Sequence, residues 1–215
     1  GFMCRSDYES VLDRMQLQSG EIWPVPVCLD IGEIQAHSLE PGHSVALRDP
    51  EGFLLAVMHI DDIWPVDREK EAQMIYGTKD AAHEGVAYLL RAVGDYYVGG
   101  RIEVLNLPIH SDFKDIRLSP FETKALFAKY DWKRIVCFQT RHPIQRPQFE
   151  MTLQAMRRAK ANILIHPVVG MTKPGDFDHF TRVRCYKAIL PHYPPNTCLL
   201  NLLPLALRMA GPREA

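Results

Sequence analysis

Long apolar runs are absent from this 215-residue chain. None approaches the ~20 residues that a membrane-spanning helix needs, so no membrane partner is expected. The five cysteines, Cys4, Cys28, Cys137, Cys185 and Cys198, form no C-x-x-C pair. That argues against a zinc site or a disulfide framework and for reduced, packed cysteines in a cytoplasmic protein. G-x-x-x-x-G-K-[ST] is missing, which excludes a Walker-type phosphate loop, and G-x-G-x-x-G is missing too. Acidic residues are scarce in one region only. Residues 133–215 hold 4 Asp/Glu against 13 Lys/Arg, whereas residues 1–132 hold 22 against 12. The split points to two parts with different tasks, the second facing something negative, or to halves that attract each other. Nucleic acid is not expected, because an acidic first part opposes phosphate-backbone binding.

What is present reads as an α/β chain. In the first part, turn signals punctuate short β-rich runs. "IWPVPVCLDI" is demoted to an edge by Pro24 and Pro26. "HSVALRD", "PEG" and "FLLAVMHIDDIWPV" read as strand, tight turn and strand, and "GRIEVLNLPIH" as a further strand. Helical pattern is limited to "SDYESVLDRMQL", with Ser6 as N-cap and Glu9 closing a capping box, "REKEAQMIYG" and "HEGVAYLLRAVG". This is a small mixed or barrel-like β domain with peripheral helices. The second part changes rhythm. "LSPFETKALFAKY" opens with Ser119, Pro120 and Glu122 as cap, first position and box. Strands "KRIVCFQ", "NILIHPVVG" and "TCLLNLLPLALRM" then alternate with helices "RPQFEMTLQAMRRAK" and "DFDHFTRVRCYKAIL", the last strand running into a helical turn. That alternation predicts a parallel sheet wound with helices, with ligands at the C-terminal strand ends.

Two loops lie at such ends. In "FQTRHPIQRPQFEM", Arg141 and Arg146 offer forked donors for phosphate or sulfate oxygens, and a helix N-terminus adds partial positive charge. Pro143 and Pro147 stiffen the backbone around them. A merely solvated basic loop is the plainer alternative. "HPVVGMTKPGD" supplies Thr172 and Lys173 between Gly170 and Gly175, and a structural loop explains it equally well. His179 and Arg182, one turn apart on the next helix, are expected to be structural.

The blocks "GFMCRSDYESVLDRMQLQSGEIWPVPVCLDI", "YVGGRIEVLNLPIHSDF", "FQTRHPIQRPQFE", "VVGMTKPGDFDHFTRVRCYKAIL" and "LLPLALRMAGPREA" resemble, in order and over essentially the whole chain, the ATP sulfurylase (sulfate adenylyltransferase) family. The resemblance implies a PUA-like β-barrel domain over residues 1–114 and a Rossmann-like nucleotidyltransferase domain with a parallel sheet over residues 115–215. It further implies transfer of AMP from ATP to sulfate, giving adenylyl sulfate and pyrophosphate, in sulfate assimilation or sulfur oxidation. ATP and Mg2+ enter together as substrate, with no protein metal ligands implied. The chain is expected to be part of a longer protein, truncated at both ends. A homo-oligomer and a fused adenylylsulfate kinase domain are the partners that the family admits.

The family loop reads Q-T-R-N-P-x-H-R-A-H. Here Gln139, Thr140, Arg141, Pro143 and Arg146 match it. By resemblance Gln139 and Arg141 grip sulfate, with Arg141 also near the α-phosphate, Arg146 and Arg213 of "GPRE" belong to the same sulfate and ATP site, and Thr140, Arg141, His142, Gln145 and Gln148 occupy the catalytic positions. The asparagine position holds His142, and both histidines of the paired motif are Gln145 and Gln148. In the family those histidines steady the triphosphate as pyrophosphate leaves, so the departures predict impaired or lost catalysis. Three readings stay open: a working sulfurylase, a degenerate domain kept as a scaffold for a kinase, and an RNA-binding module suggested by the PUA-like likeness alone.

Overall fold

Alternating apolar residues set up four antiparallel strands in the first part of the chain: β1 (Leu29–Ile31), β2 (Ser44–Arg48), β3 (Leu54–Pro65) and β4 (Tyr96–Val104), in the order β1-β4-β3-β2. The computed structural model describes residues 1–214 apart from 170–174, 176, 206, 207 and 209. It divides into one unit of residues 1–109 with the residues from 208 onward, and a second of residues 110–207. The sequence boundary expected at 114/115 thus falls a few residues past the structural one, and the last residues return to the first unit. Among the described residues no helix is long and apolar enough to cross a membrane.

In the first unit β3 feeds two cores. Its register against β4 shifts between Ile60 and Asp62, and an inserted residue turns every later side chain to the opposite face. Met58, Ile60 and Ile63 accordingly pack with Val98, whereas Trp64 packs with Tyr8, Val11, Leu12 and Tyr97. Gly100 lies opposite the shift at φ +153°, where a Cβ would meet the His59 carbonyl oxygen at 2.0 Å. No other residue fits. The expected strand "GRIEVLNLPIH" therefore starts four residues earlier, at Tyr96, and runs through Gly99-Gly100. It ends at Val104, and Leu105, Leu107 and Ile109 beyond it are exposed. β1 is an edge strand, as the two prolines before it require.

Helices α1 (Arg5–Arg14), α2 (Glu33–Ser38), α3 (Arg68–Tyr76) and α4 (Glu84–Arg91) surround this sheet in sequence. Helix α1 corrects the expected cap. It starts after Cys4, so Ser6 lies inside its first turn, and Glu9 bonds Arg5 Nε at 2.8 Å instead of closing a box. Asp67 caps α3 by accepting from Lys70 N–H at 3.0 Å. The C-terminal strip is seated tightly here. A Cβ at Gly85 would stand 2.7 Å from the Arg208 carbonyl oxygen.

The second unit contains α5 (Pro120–Lys129), β5 (Ile135–Thr140), α6 (Arg146–Ala159), β6 (Asn162–Pro167), α7 (His179–Ile189) and β7 (Cys198–Leu200). The strands are parallel in the order β5-β6-β7, with Gln139 beside His166 and Ile165 beside Leu200. One core holds them: Met156, Ile163, Ile165, Tyr186, Tyr193 and Leu200, with Phe138, Phe149 and Leu153 around it. The Ser119/Glu122 box forms, with Glu122 N–H donating to Ser119 Oγ at 3.2 Å and Ser119 N–H to Glu122 Oε2 at 2.8 Å. Asn201 is 3 % exposed. Its amide accepts from Leu118 N–H at 2.8 Å and donates to Leu118 O and Thr123 Oγ1, each at 3.1 Å, joining the end of β7 to the start of α5. β7 is shorter than expected, continued by a single bridge between Val168 and Leu203. All five cysteines are free, but Cys137 and Cys185 are exposed, so not all of them are packing residues.

Candidate functional site

Residues 139–148 run from the C-terminal end of β5 into α6, which puts the loop at the strand-end position that parallel sheets use for ligands. Thr140 closes a tight turn, its Oγ1 accepting from His142 N–H and donating to His142 O, each at 3.1 Å. Helix α7 holds the other side. Arg182 Nη1 donates to Arg141 O at 3.1 Å and to Val168 O at 3.3 Å, and Tyr186 O–H donates to His142 O at 3.1 Å. Gln139, His142, Gln145 and Arg146 are exposed, and Arg141 is half-buried. The turn and the first turn of α6 thus bring Gln139, Thr140, Arg141, His142, Gln145, Arg146 and Gln148 into one short stretch at the positive end of the helix dipole.

Gln145 is the N-cap residue of α6, and its side chain makes no cap bond to the helix. Gln148 reaches back instead, its Oε1 accepting from Gln145 N–H at 3.0 Å. This amide is engaged by its own helix. The arrangement suits an oxyanion held by guanidinium forks and helix dipole. It places no side chain that can carry a proton at either glutamine.

Arg213 is described within the first unit alone, where its guanidinium donates to Leu12 O at 2.8 Å and to Val11 O and Pro24 O at 3.3 Å. There it satisfies carbonyls at the C-terminal end of α1. Of the second loop, residues 170–174 and 176, with Thr172 and Lys173, lie outside the described residues.

Two clusters stand in the second unit, one around His179, which was expected to be structural, and one that the sequence did not mark. His179 Nε2 and Arg117 Nη2 both donate to Asp112 Oδ2, at 2.5 and 2.9 Å. Chiefly through the His179 bond, this draws the Asp112 carboxyl down to about 2. Nδ1 of His179 is buried without a partner among the described residues, so the pair fastens α7 to the segment before α5 and offers no ring nitrogen to a ligand. Cys137 and His166 approach at 4.0 Å, but partial desolvation, at a cysteine whose residue surface is exposed, raises the thiol and likewise lowers the imidazole. Both are kept neutral, the reverse of an activated thiolate. Among the described residues no three His, Cys, Asp or Glu side chains converge to hold a metal ion.

Comparison with known proteins matches a PUA-like domain to residues 1–107 and an ATP-sulfurylase domain to residues 114–215. Over its full length the chain is 46 % identical to a sulfate adenylyltransferase of Schizosaccharomyces pombe and 45 % identical to one of Mycosarcoma maydis. It covers 44 % and 38 % of those proteins, about two fifths of the length of the curated relatives it matches. A solved structure described as a hexameric APS kinase from Thiobacillus denitrificans superposes on 97 % of this chain with a TM-score of 0.75 and 31 % identity, using 38 % of that chain. The two domain matches follow one another along the sequence, the full-length identities agree with them, and the loop between β5 and α6 carries the motif residues Gln139, Thr140, Arg141, Pro143 and Arg146. The chain belongs to the ATP-sulfurylase family.

Proposed function

We propose that this chain is the sulfate- and ATP-binding part of a sulfate adenylyltransferase whose AMP transfer is slow. In the reaction a sulfate oxygen attacks the α-phosphorus of ATP, the bond to the β-phosphate oxygen breaks, and pyrophosphate leaves. Gln139 and Arg141 hold sulfate, Arg141 and Arg146 the nucleotide phosphates, and Mg2+ arrives with ATP as part of the substrate. Charge gathers on the departing pyrophosphate. Groups already aimed at that charge are what lower the barrier. The observation carrying the reading is the Gln148 side chain turned back onto Gln145 N–H, one neutral amide occupied by the helix and the other unable to hold positive charge.

Pyrophosphate exchange into ATP on the full-length protein tests this. Turnover should lie at least about 10²-fold below that of a relative with histidines at both positions, the usual effect of losing one preorganised donor. Equal turnover would remove the case for impairment.

The superposition on a structure described as an APS kinase favours a second reading, in which this segment is also a platform for an adenylylsulfate kinase and for assembly into oligomers. In a full-length protein with such a kinase, Arg141→Ala should abolish sulfate binding while kinase turnover and oligomer mass stay unchanged. Loss of kinase turnover in that variant would refute the platform role.

A further inference from the structure

We propose that Arg182 and Tyr186 are positioning residues that set the backbone of the anion loop. They stand four residues apart on α7, hence on one face of that helix. Both are buried, Arg182 at 2 % and Tyr186 at 0 % exposure. Nη1 of Arg182 bonds the carbonyl of Arg141, just past β5, and that of Val168, just past β6, so one guanidinium ties the ends of two neighbouring strands. Tyr186 takes the next carbonyl along the loop, that of His142. With Thr140 Oγ1 closing the turn from the strand side, three successive residues are fixed from both sides. Drawing two adjacent carbonyls toward α7 constrains the peptide planes between Arg141 and Pro143, and with them the direction in which the Arg141 and His142 side chains leave the backbone.

Packing alone does not explain Arg182. Its Nε and Nη2 are buried with no partner among the described residues, and a buried charge left partly unsatisfied is destabilising. Leucine or methionine would fill the same space without that penalty. Tyr186 is suited to its part: burial pushes its hydroxyl up to about 12, so it remains a neutral donor at any working pH. Positioning of the loop is independent of what the loop binds. Its link to AMP transfer rests on the function proposed above, and the test separates the two.

Amide hydrogen exchange and calorimetric titration with sodium sulfate are measured together on the full-length protein and its Tyr186→Phe, Arg182→Lys and Arg182→Met variants. Tyr186→Phe keeps the ring and removes one bond. It should speed exchange at His142 N–H about fivefold and weaken sulfate binding about fivefold, with exchange in β5, β6 and the thermal midpoint unchanged. Arg182→Lys, able to reach one carbonyl, should fall between the natural protein and Arg182→Met, for which about tenfold weaker binding is expected. Unchanged loop exchange in both Tyr186→Phe and Arg182→Lys overturns the proposal, even if sulfate affinity or the thermal midpoint falls, because the side chains then only pack. Faster loop exchange in a protein that binds neither sulfate nor ATP upholds the positioning and overturns the adenylyltransferase reading.

Discussion

Replacing Gln145 and Gln148 together by histidine should raise AMP transfer to sulfate by about 10²–10³-fold, the range expected for restoring preorganised donors at a developing charge. An imidazole can donate a hydrogen bond and also hold a proton as negative charge passes to pyrophosphate; an amide does only the first. The cost falls on the helix. Histidine at position 148 gives up the bond from Gln145 N–H to the Gln148 carbonyl, a loss of roughly 1 kcal/mol at a helix N-terminus. Each single replacement should recover less than half of the logarithmic gain, because the two positions act on one departing group. Pyrophosphate exchange with the double variant decides the matter. If it stays inert while still binding sulfate, the defect lies at another departure, His142 at the family's asparagine position being the first to examine.

The second large effect is on stability. Glu71 is 3 % exposed in the first unit, and its Oε2 accepts both Tyr8 O–H and Tyr97 O–H at 2.9 Å. Around it Tyr8, Trp64 and Tyr97 stack in tilted and edge contacts with centroids 5.5 to 5.9 Å apart. Glu71→Ala strands two buried hydroxyls, each worth about 1–3 kcal/mol when left without a partner, so a loss of roughly 3 kcal/mol or more is expected by chemical denaturation. Glu71→Gln keeps an acceptor and should cost clearly less. The charge has its own signature. Burial holds the carboxyl above its usual 4.5, against the pull of the two phenols and of Arg208. The folded state therefore keeps this proton longer than the unfolded state does. The contribution is fully present below the unfolded value and declines as pH rises through the folded one. Unfolding of the first unit should accordingly ease as pH rises above the usual carboxyl value of 4.5 in the natural chain, and the slope should flatten in Glu71→Gln. An identical pH profile in the two proteins would show that Glu71 is not the source.

Elements with local chemistry were legible in the sequence. Ser119-Pro120 and Glu122 announce α5, and the alternation of β-branched runs with amphipathic stretches announces the parallel sheet of the second unit. The loop at the end of β5 was legible because its guanidinium forks, prolines and helix start sit within ten residues. Contacts made across the chain were not. Arg182 and Tyr186 meet carbonyls 41 and 44 residues away, and nothing local marks a buried arginine as a loop anchor. The bonds from Arg213 to carbonyls of Val11 and Leu12, 202 and 201 residues earlier, were equally invisible in its local motif. Helix α2 has only six residues and a glycine N-cap, too little periodicity to see. The misplaced start of β4 has the same root: two glycines read as an entrance to a strand, when they allow a bulged neighbour to come close.

The return of the last residues to the first unit has a topological consequence. Residues 110–207 separate two stretches of the first unit in sequence, and Arg213 fastens the later stretch to α1. A polypeptide cut after Ile109 would take from Leu12 O its bond to Arg213 and from Gly85 its neighbour Arg208. Any attempt to isolate the PUA-like half has to stitch the strip from Arg208 to Glu214 back onto it.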